Sequence, residues 1–458
     1  MKLMGKRAAI LMALCLLFTF GLSFFLYSYV RDAAAWATYP VNRHLYRNGR
    51  LVSAGDIYDR NGDVLAASEN GARRYHGDGA VRRAVMHLVG DADGNVATGL
   101  QVSYRSTLTG WNVFTGAYSF DQGGGRSITT TADAPLCKAA YEALNGRRGT
   151  VGVMNYRTGE ILCMVSSPSF DPTKPPDVND PKYEGVYLNR LLSASFVPGS
   201  IFKLVTAAAA LEQLSGLPDR VFVCDGLLEL DGGRITCPRT HGTQDFGQTL
   251  TNSCNVAFAE LALDLGPAKL TQYAERAGFN SQNMQMDNIS VAGGSFTLDG
   301  AREADIGWAG VGQHKSLVNP LTYMQFVGSV AHGGQRVKPH IIKGTGVGFL
   351  TVPRLAFSAS AGRSMSAGTA DALKGMMRDN VLNNYGEGKL GGYNLCGKTG
   401  TAEVGGGLKP HSWFVGFLDS DKAPLCFAVL VENGGAGSAA AAGVAKTVLA
   451  QAVKGIRD

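Results

Sequence analysis

Ser200 and Lys203 are the first pair in this chain whose types and spacing could do chemistry. They stand three residues apart in PGSIFKLVTAAAALE, Pro198 to Glu212, an apolar segment that reads as a helix opening on a Pro-Gly turn. Residues i and i+3 share a helix face, so the ammonium can reach the hydroxyl. A serine is a weak nucleophile until a base takes its proton, and a lysine can be that base only when neutral. Burial and nearby positive charge both push a lysine that way. Phe196, Val197, Ile201, Phe202, Leu204 and Val205 supply the burial. Backbone N–H groups at the helix start favour an oxyanion beside Ser200. The same letters also spell an N-cap serine followed by a surface lysine.

Two further fragments extend the chemistry. TNSCNVAF contains Ser253-Cys254-Asn255 at the start of an apolar helix. A second hydroxyl there could relay a proton to a leaving group, and an amide could hold both a lysine and a substrate carbonyl; the plain alternative is an N-cap turn. GKTGTAE holds Lys398, Thr399, Gly400 and Thr401 on an expected strand. Lysine and threonine can grip a carboxylate, and Gly400 leaves room for substrate along the strand edge. Other residues read as structural: His241-Gly242 as a turn rather than a catalytic base, Glu403 as a structural acid rather than a general base, and Trp413-Phe414 as sheet core or cleft rim. Cys254 is expected to face away from the cleft and is not a candidate nucleophile.

The elements that must position these residues follow from pattern. Asp133, with Pro135 two residues on, starts a helix through Leu144 that Gly146 stops. Gly149 to Ser167 reads as a hairpin turning at Thr158-Gly159. SPSFDPTKPPDVNDP is an irregular loop. A block dominated by helical patterns runs to about Gly334. YNLCGKTGTAE, SWFVGFL and LCFAVLVENG then read as three strands, and an Ala-rich helix runs from about Ala439 to Ile456. Joining the hairpin to the three late strands gives one five-stranded antiparallel sheet with helices on its faces, an α+β domain. Upstream, Gly55 to Ala66 reads as two short strands around Asn61-Gly62, and AVRRAVMHLVG as one short helix. No internal repeat or low-complexity tract is present.

Composition bounds the partners. The 458 residues suffice for two or three domains, and 45% hydrophobic residues allow a large core. The net charge of +6 lacks the Lys/Arg clustering of a nucleic-acid surface. Lys2, Lys6 and Arg7 precede an apolar run from Ala8 to Val30. At ~1.5 Å per residue that run spans the ~30 Å hydrocarbon core and exceeds the length of a signal-peptide core. It is expected to be a single uncleaved anchor with a cytoplasmic N-terminus, the rest lying outside the cytoplasm; cleavage near Ala33-Ala34-Ala35 is the alternative. Eight cysteines show no CxxC and no Cys/His ligand spacing, which argues against a metal site. Cys224 and Cys237 bracket a Gly-rich loop and could form a disulfide in an exported domain, which the sequence leaves open. The expected division is 1–31, cytoplasmic tip and anchor; 32–127, a small, mostly β pedestal; and 128–458, the chemical domain.

S-x-x-K, S-x-N and K-T-G in this order resemble the signature of the penicilloyl-serine transferases. DIYDRNGDVLA is similar to the opening of the pedestal in class B penicillin-binding proteins, and RTGEILCMVSSPSFDP to their first transpeptidase hairpin. GVGQ, NPLTYM and HGGQRVKPHII look like the stretch before their third motif. The resemblance implies a β-lactamase-like transpeptidase domain and a peptidoglycan D,D-transpeptidase acylated by β-lactams, with no cofactor. Ser200 would be the acylated nucleophile and Lys203 its base. Ser253 would pass a proton to the departing D-alanine, and Asn255 would orient Lys203 and the substrate amide. Lys398 would supply positive charge, Thr399 would bind the carboxylate, and the N–H groups of Ser200 and Thr401 would form the oxyanion hole. Peptidoglycan stem peptides are the implied substrate. A multi-spanning glycan polymerase of the SEDS type is the implied partner, since the stretch between anchor and hairpin is too short for a glycosyltransferase. A DD-carboxypeptidase, a β-lactamase or β-lactam sensor, and a non-catalytic cell-wall scaffold are the alternatives.

Overall fold

A computed structural model describes residues 2–39, 46–47, 50–51, 54–70, 72–111, 125–282, 284–347, 350–353, 359–386 and 393–457. Residues 112–124 of the expected pedestal therefore lie outside the described residues. Helix α1, Lys2–Ala37, is long and apolar enough to cross a membrane, and its most apolar stretch is unburied.

Strands β1 (Ile57–Tyr58), β2 (Val64–Glu69) and β3 (Ala72–Tyr75) follow, with β1 and β2 antiparallel around the Asn61-Gly62 turn. Asp59 shapes that turn, accepting the N–H groups of Asn61 (2.7 Å) and Asp63 (2.9 Å). AVRRAVMHLVG forms two short helices, Gly79–Ala84 and Met86–Val89, where one was expected. Strand β4, Ser127–Thr130, leads into α2, Ala134–Leu144, capped by Asp133 with Asn145 left-handed at its end. Strands β5 (Gly149–Asn155) and β6 (Ile161–Ser167) form the expected hairpin.

The middle of the chain holds α3 (Lys203–Gln213), β7 (Phe222–Cys224), β8 (Leu227–Leu230), β9 (Gly233–Thr236) and β10 (Gly242–Gln244). Helices α4 (Phe246–Thr251), α5 (Asn255–Arg276), α6 (Glu303–Val311) and α7 (Pro320–Ala331) come next. Gly266, at φ 72°, and Pro267 break α5 into two legs. The late elements are β11 (Ile342–Val347), β12 (Leu350–Pro353), α8 (Ala367–Asn384), β13 (Leu395–Ala402), β14 (His411–Leu418), β15 (Leu425–Val431) and α9 (Ala440–Arg457).

Two sheets organise these elements. One has the order β13-β14-β15-β5-β6 and is wholly antiparallel, so β13, which carries Lys398 and Thr399, is an edge strand. Helices α2 and α9 pack on one face, and α7 and α8 on the other. Both faces are therefore dry, which explains why β15 and β6 are buried at every position. The second sheet has the order β12-β11-β4-β1-β2-β3 and joins strands from residues 57–75 with strands from 342–353. Helix α3 is buried from Lys203 to Ala210. Its Ala207-Ala208-Ala209-Ala210 run keeps side chains short where α5, α6 and α8 close on it.

Candidate active site

Ser200 stands in a turn that is tighter than the α-helical start expected from its sequence. Gly199–Phe202 is a 3-10 turn, with the α-helix proper beginning at Lys203. Gly199 holds φ at 57°, and a Cβ there would lie 2.5 Å from Thr401 O, so the backbone geometry and the approach of β13 both require glycine. Three long-range bonds pin the turn. Gly199 N–H donates to Gly312 O (2.8 Å), the Tyr323 hydroxyl to Ile201 O (2.6 Å), and the Trp413 indole to Val197 O (2.9 Å). Trp413 is thereby a core residue that anchors the serine turn.

Lys203 is fully buried, and its ammonium donates to Ser253 O (2.5 Å), Ser253 Oγ (3.1 Å) and Asn255 Oδ1 (2.7 Å). Those three acceptors use all three of its protons. Among the described residues the Ser200 hydroxyl makes no hydrogen bond. Lys203 in its charged form is thus engaged by the second motif, and only its neutral form has a lone pair to offer Ser200. Asn255 is held in turn, its Nδ2 donating to Thr236 O at 2.7 Å.

Lys398, 2% exposed, donates to the same Ser253 Oγ at 3.1 Å and to Thr399 O at 3.0 Å. Ser253, at φ 53°, occupies the left-handed region, a sparsely populated conformation for a non-glycine residue that the surrounding bonds must hold. Helix α8 bridges the second and third motifs: Asn384 Nδ2 donates to Thr251 O (2.8 Å), and Asn380 Nδ2 to Gly397 O (2.7 Å). The Tyr385 hydroxyl and Thr399 Oγ1 lie 2.6 Å apart. Nothing in the local sequence around Tyr385 pointed to that contact.

Gly400 plays a different part from the one expected. It is buried, and a Cβ would meet Ile201 Cγ2 and Pro198 O at 3.0 Å. It therefore lets β13 close on the serine turn, and the room it leaves is taken by that turn. Ser200, Ser253, Asn255, Lys398, Thr399 and Thr401 line one cavity of about 690 Å³. Cys237, His241, Trp308, Gln313, Tyr385 and Glu403 are among the other residues that line it, so Glu403 and His241 lie at the cleft.

Burial pushes the Lys203 ammonium well below its ordinary range, and the charge of Lys398 pushes the same way. Burial alone takes Lys398 from 10.5 to about 8. At ~1.4 kcal/mol per unit this is on the order of 3 kcal/mol against its charged form. The arrangement is two adjacent lysines, one driven toward neutrality, with a shared hydroxyl between them. It can take a proton from one oxygen and hand one to a nearby leaving group.

The cysteines depart from expectation. Cys224 and Cys237 are free thiols, so the disulfide between them is not formed. They gather instead with Cys254 and His241, and one ligand-type atom from each lies within 4.8 Å of the others. The expectation of no metal-ligand grouping missed Cys237 and His241, which share the short loop between β9 and β10; Cys224 at the end of β7 and Cys254 at the start of α5 join them from elsewhere in the chain. Cys254 does face away from the cleft, where it caps α5. Cys137, Cys163, Cys396 and Cys426 are buried core residues.

A hydroxyl on a tight turn, a buried lysine one turn on, and an antiparallel edge strand beside them define a serine acyltransferase built on an α+β scaffold. The chain belongs to the penicillin-binding protein transpeptidase family, whose domain model matches residues 149–450. It is 30% identical over 365 residues to peptidoglycan D,D-transpeptidase PbpA of Mycolicibacterium smegmatis, covering 72% of this chain and 73% of that one. Stage V sporulation protein D of Bacillus subtilis is 31% identical over 297 residues, 61% of this chain and 44% of that one. Among solved structures, the imipenem acyl-enzyme complex of penicillin-binding protein A from M. tuberculosis superposes with a TM-score of 0.76 at 25% identity. That match covers 88% of this chain and 99% of the other.

Proposed function

We infer that this chain is a peptidoglycan D,D-transpeptidase that works through an acyl-enzyme on Ser200 and is acylated there by β-lactams. The observation that carries this reading is the Ser253 hydroxyl, which takes a 3.1 Å hydrogen bond from Lys203 on one side and from Lys398 on the other, in the cleft that Ser200 lines. Neutral Lys203 takes the Ser200 proton as Oγ attacks the D-Ala-D-Ala carbonyl carbon. The oxyanion forms against the N–H groups of Ser200 and Thr401, a contribution of about 2.7–4 kcal/mol per donor in acyl-transfer enzymes. As the C–N bond breaks, Lys203 returns the proton through Ser253 to the departing D-alanine. Asn255 holds Lys203 and the substrate amide, while Lys398 and Thr399 hold the terminal carboxylate. The stem peptide lies along the free edge of β13, as peptides add to exposed strands. An amine from a second stem then takes the acyl group and frees Ser200.

Residues 1–31 serve as cytoplasmic tip and anchor, 32–127 as pedestal and 128–458 as the transpeptidase domain, outside the cytoplasm. A SEDS-type glycan polymerase is the partner that supplies the strands to be cross-linked. The test is covalent labelling by a fluorescent penicillin, expected for the parent protein and lost in Ser200→Ala; persistent labelling of the variant removes Ser200 as nucleophile. Incubation with two stem peptides and product mass then separates cross-linking from hydrolysis, and a product set containing only the hydrolysed stem would assign a carboxypeptidase.

A further inference from the structure

Behind the Ser253 turn, three thiols and an imidazole converge from separate parts of the fold. Cys224 ends β7, Cys237 follows β9, His241 precedes β10, and Cys254 is the middle residue of Ser253-Cys254-Asn255. The pairing of β7 with β10 sets Gly242 opposite Cys224, which brings His241 beside it. Cys237 Sγ lies 3.8 Å from Cys254 Sγ, and Cys224 Sγ lies 3.4 Å from His241 Nδ1. Thiolates at ~2.3 Å and an imidazole nitrogen at ~2.0–2.1 Å from a tetrahedral centre stand about 3.6–3.8 Å apart. These two pairs are close to those separations, and all four ligand atoms lie within 4.8 Å of one another. The Sγ atoms of Cys237 and Cys254 are far beyond the ~2.05 Å of a disulfide.

The surroundings suit thiolate ligands as well. The first N–H groups of α5 point at the sulfurs: Asn255 N and Val256 N lie 3.1 and 3.4 Å from Cys237 Sγ, and Ala257 N lies 3.5 Å from Cys254 Sγ. Such backbone donors stabilise a deprotonated sulfur and orient it. Cys224 and Cys254 are buried, while Cys237 and His241 are partly so and border the cleft; four protein ligands make a tetrahedral set without an open coordination position. Two backbone bonds, Cys237 N–H to Gly226 O (2.9 Å) and His241 N–H to Cys224 O (3.1 Å), tie the contributing loop together.

We propose that Cys224, Cys237, His241 and Cys254 form a tetrahedral structural site for a thiophilic divalent cation, zinc by the chemistry of its donors, which fixes the Ser253-Cys254-Asn255 turn against Lys203. Cys254 is flanked by the two residues that hold the Lys203 ammonium, so a metal on its sulfur acts on their position. The proposal concerns positioning within the acyltransferase site.

The experiment uses the full chain in detergent, purified under reducing conditions and loaded with zinc. Elemental analysis is expected to find about one zinc per chain, and cobalt loading to give thiolate-to-cobalt charge-transfer and tetrahedral d–d bands. Cys224→Ser and His241→Ala are expected to weaken metal retention at least tenfold and to change the cobalt spectrum. Stripping zinc from the unaltered protein is expected to slow penicillin acylation at least tenfold, with recovery on re-addition; this arm needs no variant to fold. Absence of bound zinc in the reduced, loaded protein overturns the proposal. So does a disulfide between any two of the three cysteines in protein isolated from exporting cells, or metal retention unchanged in both variants. An acylation rate unaltered by stripping overturns the positioning role, while loss of labelling in Ser200→Ala is independent of either result.

Discussion

Lys203 and Lys398 carry opposite requirements although they share a hydrogen-bond partner. The proposed acylation needs the first neutral and the second charged. Burial, reinforced by the neighbouring Lys398, holds Lys203 well below the ordinary lysine range, so its competent neutral fraction grows as pH rises. Burial also holds Lys398 at about 8; it is charged below that pH and loses its proton above it. The second-order rate constant for penicillin acylation is therefore expected to rise on the acid side and fall above about pH 8, a bell set by the two groups together. Lys398→Arg keeps its charge through that range and is expected to flatten the alkaline limb at a reduced rate. An alkaline limb unmoved in Lys398→Arg would assign the fall to another group.

At the scale of elements, the site is a meeting of pieces held by a few buried contacts. Strand β13 lies against the serine turn because Gly400 has no side chain, with Ile201 Cγ2 and Pro198 O at 3.0 Å from where a Cβ would sit. Gly400→Ala is expected to cost about 1–3 kcal/mol through overpacking and to reduce acylation at least tenfold, because the strand and turn separate. Thermal unfolding and penicillin labelling read the two effects, and a parental acylation rate would show that their spacing does not matter. Tyr323 on α7 anchors the other side of the turn through its 2.6 Å bond to Ile201 O. Tyr323→Phe removes this bond and leaves that carbonyl only the Lys203 N–H; it is expected to destabilise by about 0.5–1.5 kcal/mol, seen as a lower melting temperature.

Over the whole molecule, helix α1 stands apart from the packed body, with Leu16, Leu17, Phe18 and Phe20 more than half exposed. A helix that leaves most of its apolar surface exposed contributes little to holding the body together. Removal of residues 2–37 is expected to yield protein that needs no detergent and labels with penicillin at the parental rate, while a reconstituted glycan polymerase loses its stimulation. Slower labelling of the shortened chain would show that α1 supports the site.

The sequence by itself determined the local vocabulary: the Asp133 cap, the Thr158-Gly159 hairpin, the three late strands, the apolar first helix, and the three motifs with their order. These are legible because caps, turns and two-residue alternation depend on neighbours along the chain. Tertiary packing decided the rest. It gave the charged Lys203 to Ser253 and Asn255, fifty or more residues away, when the spacing had offered it Ser200. It turned Gly400 toward Ile201, put Tyr385 against Thr399, and gathered Cys224, the loop carrying Cys237 and His241, and Cys254 from three separate segments. Which side chains meet across such separations depends on how helices and sheets stack, and close packing of the whole core selects that stacking.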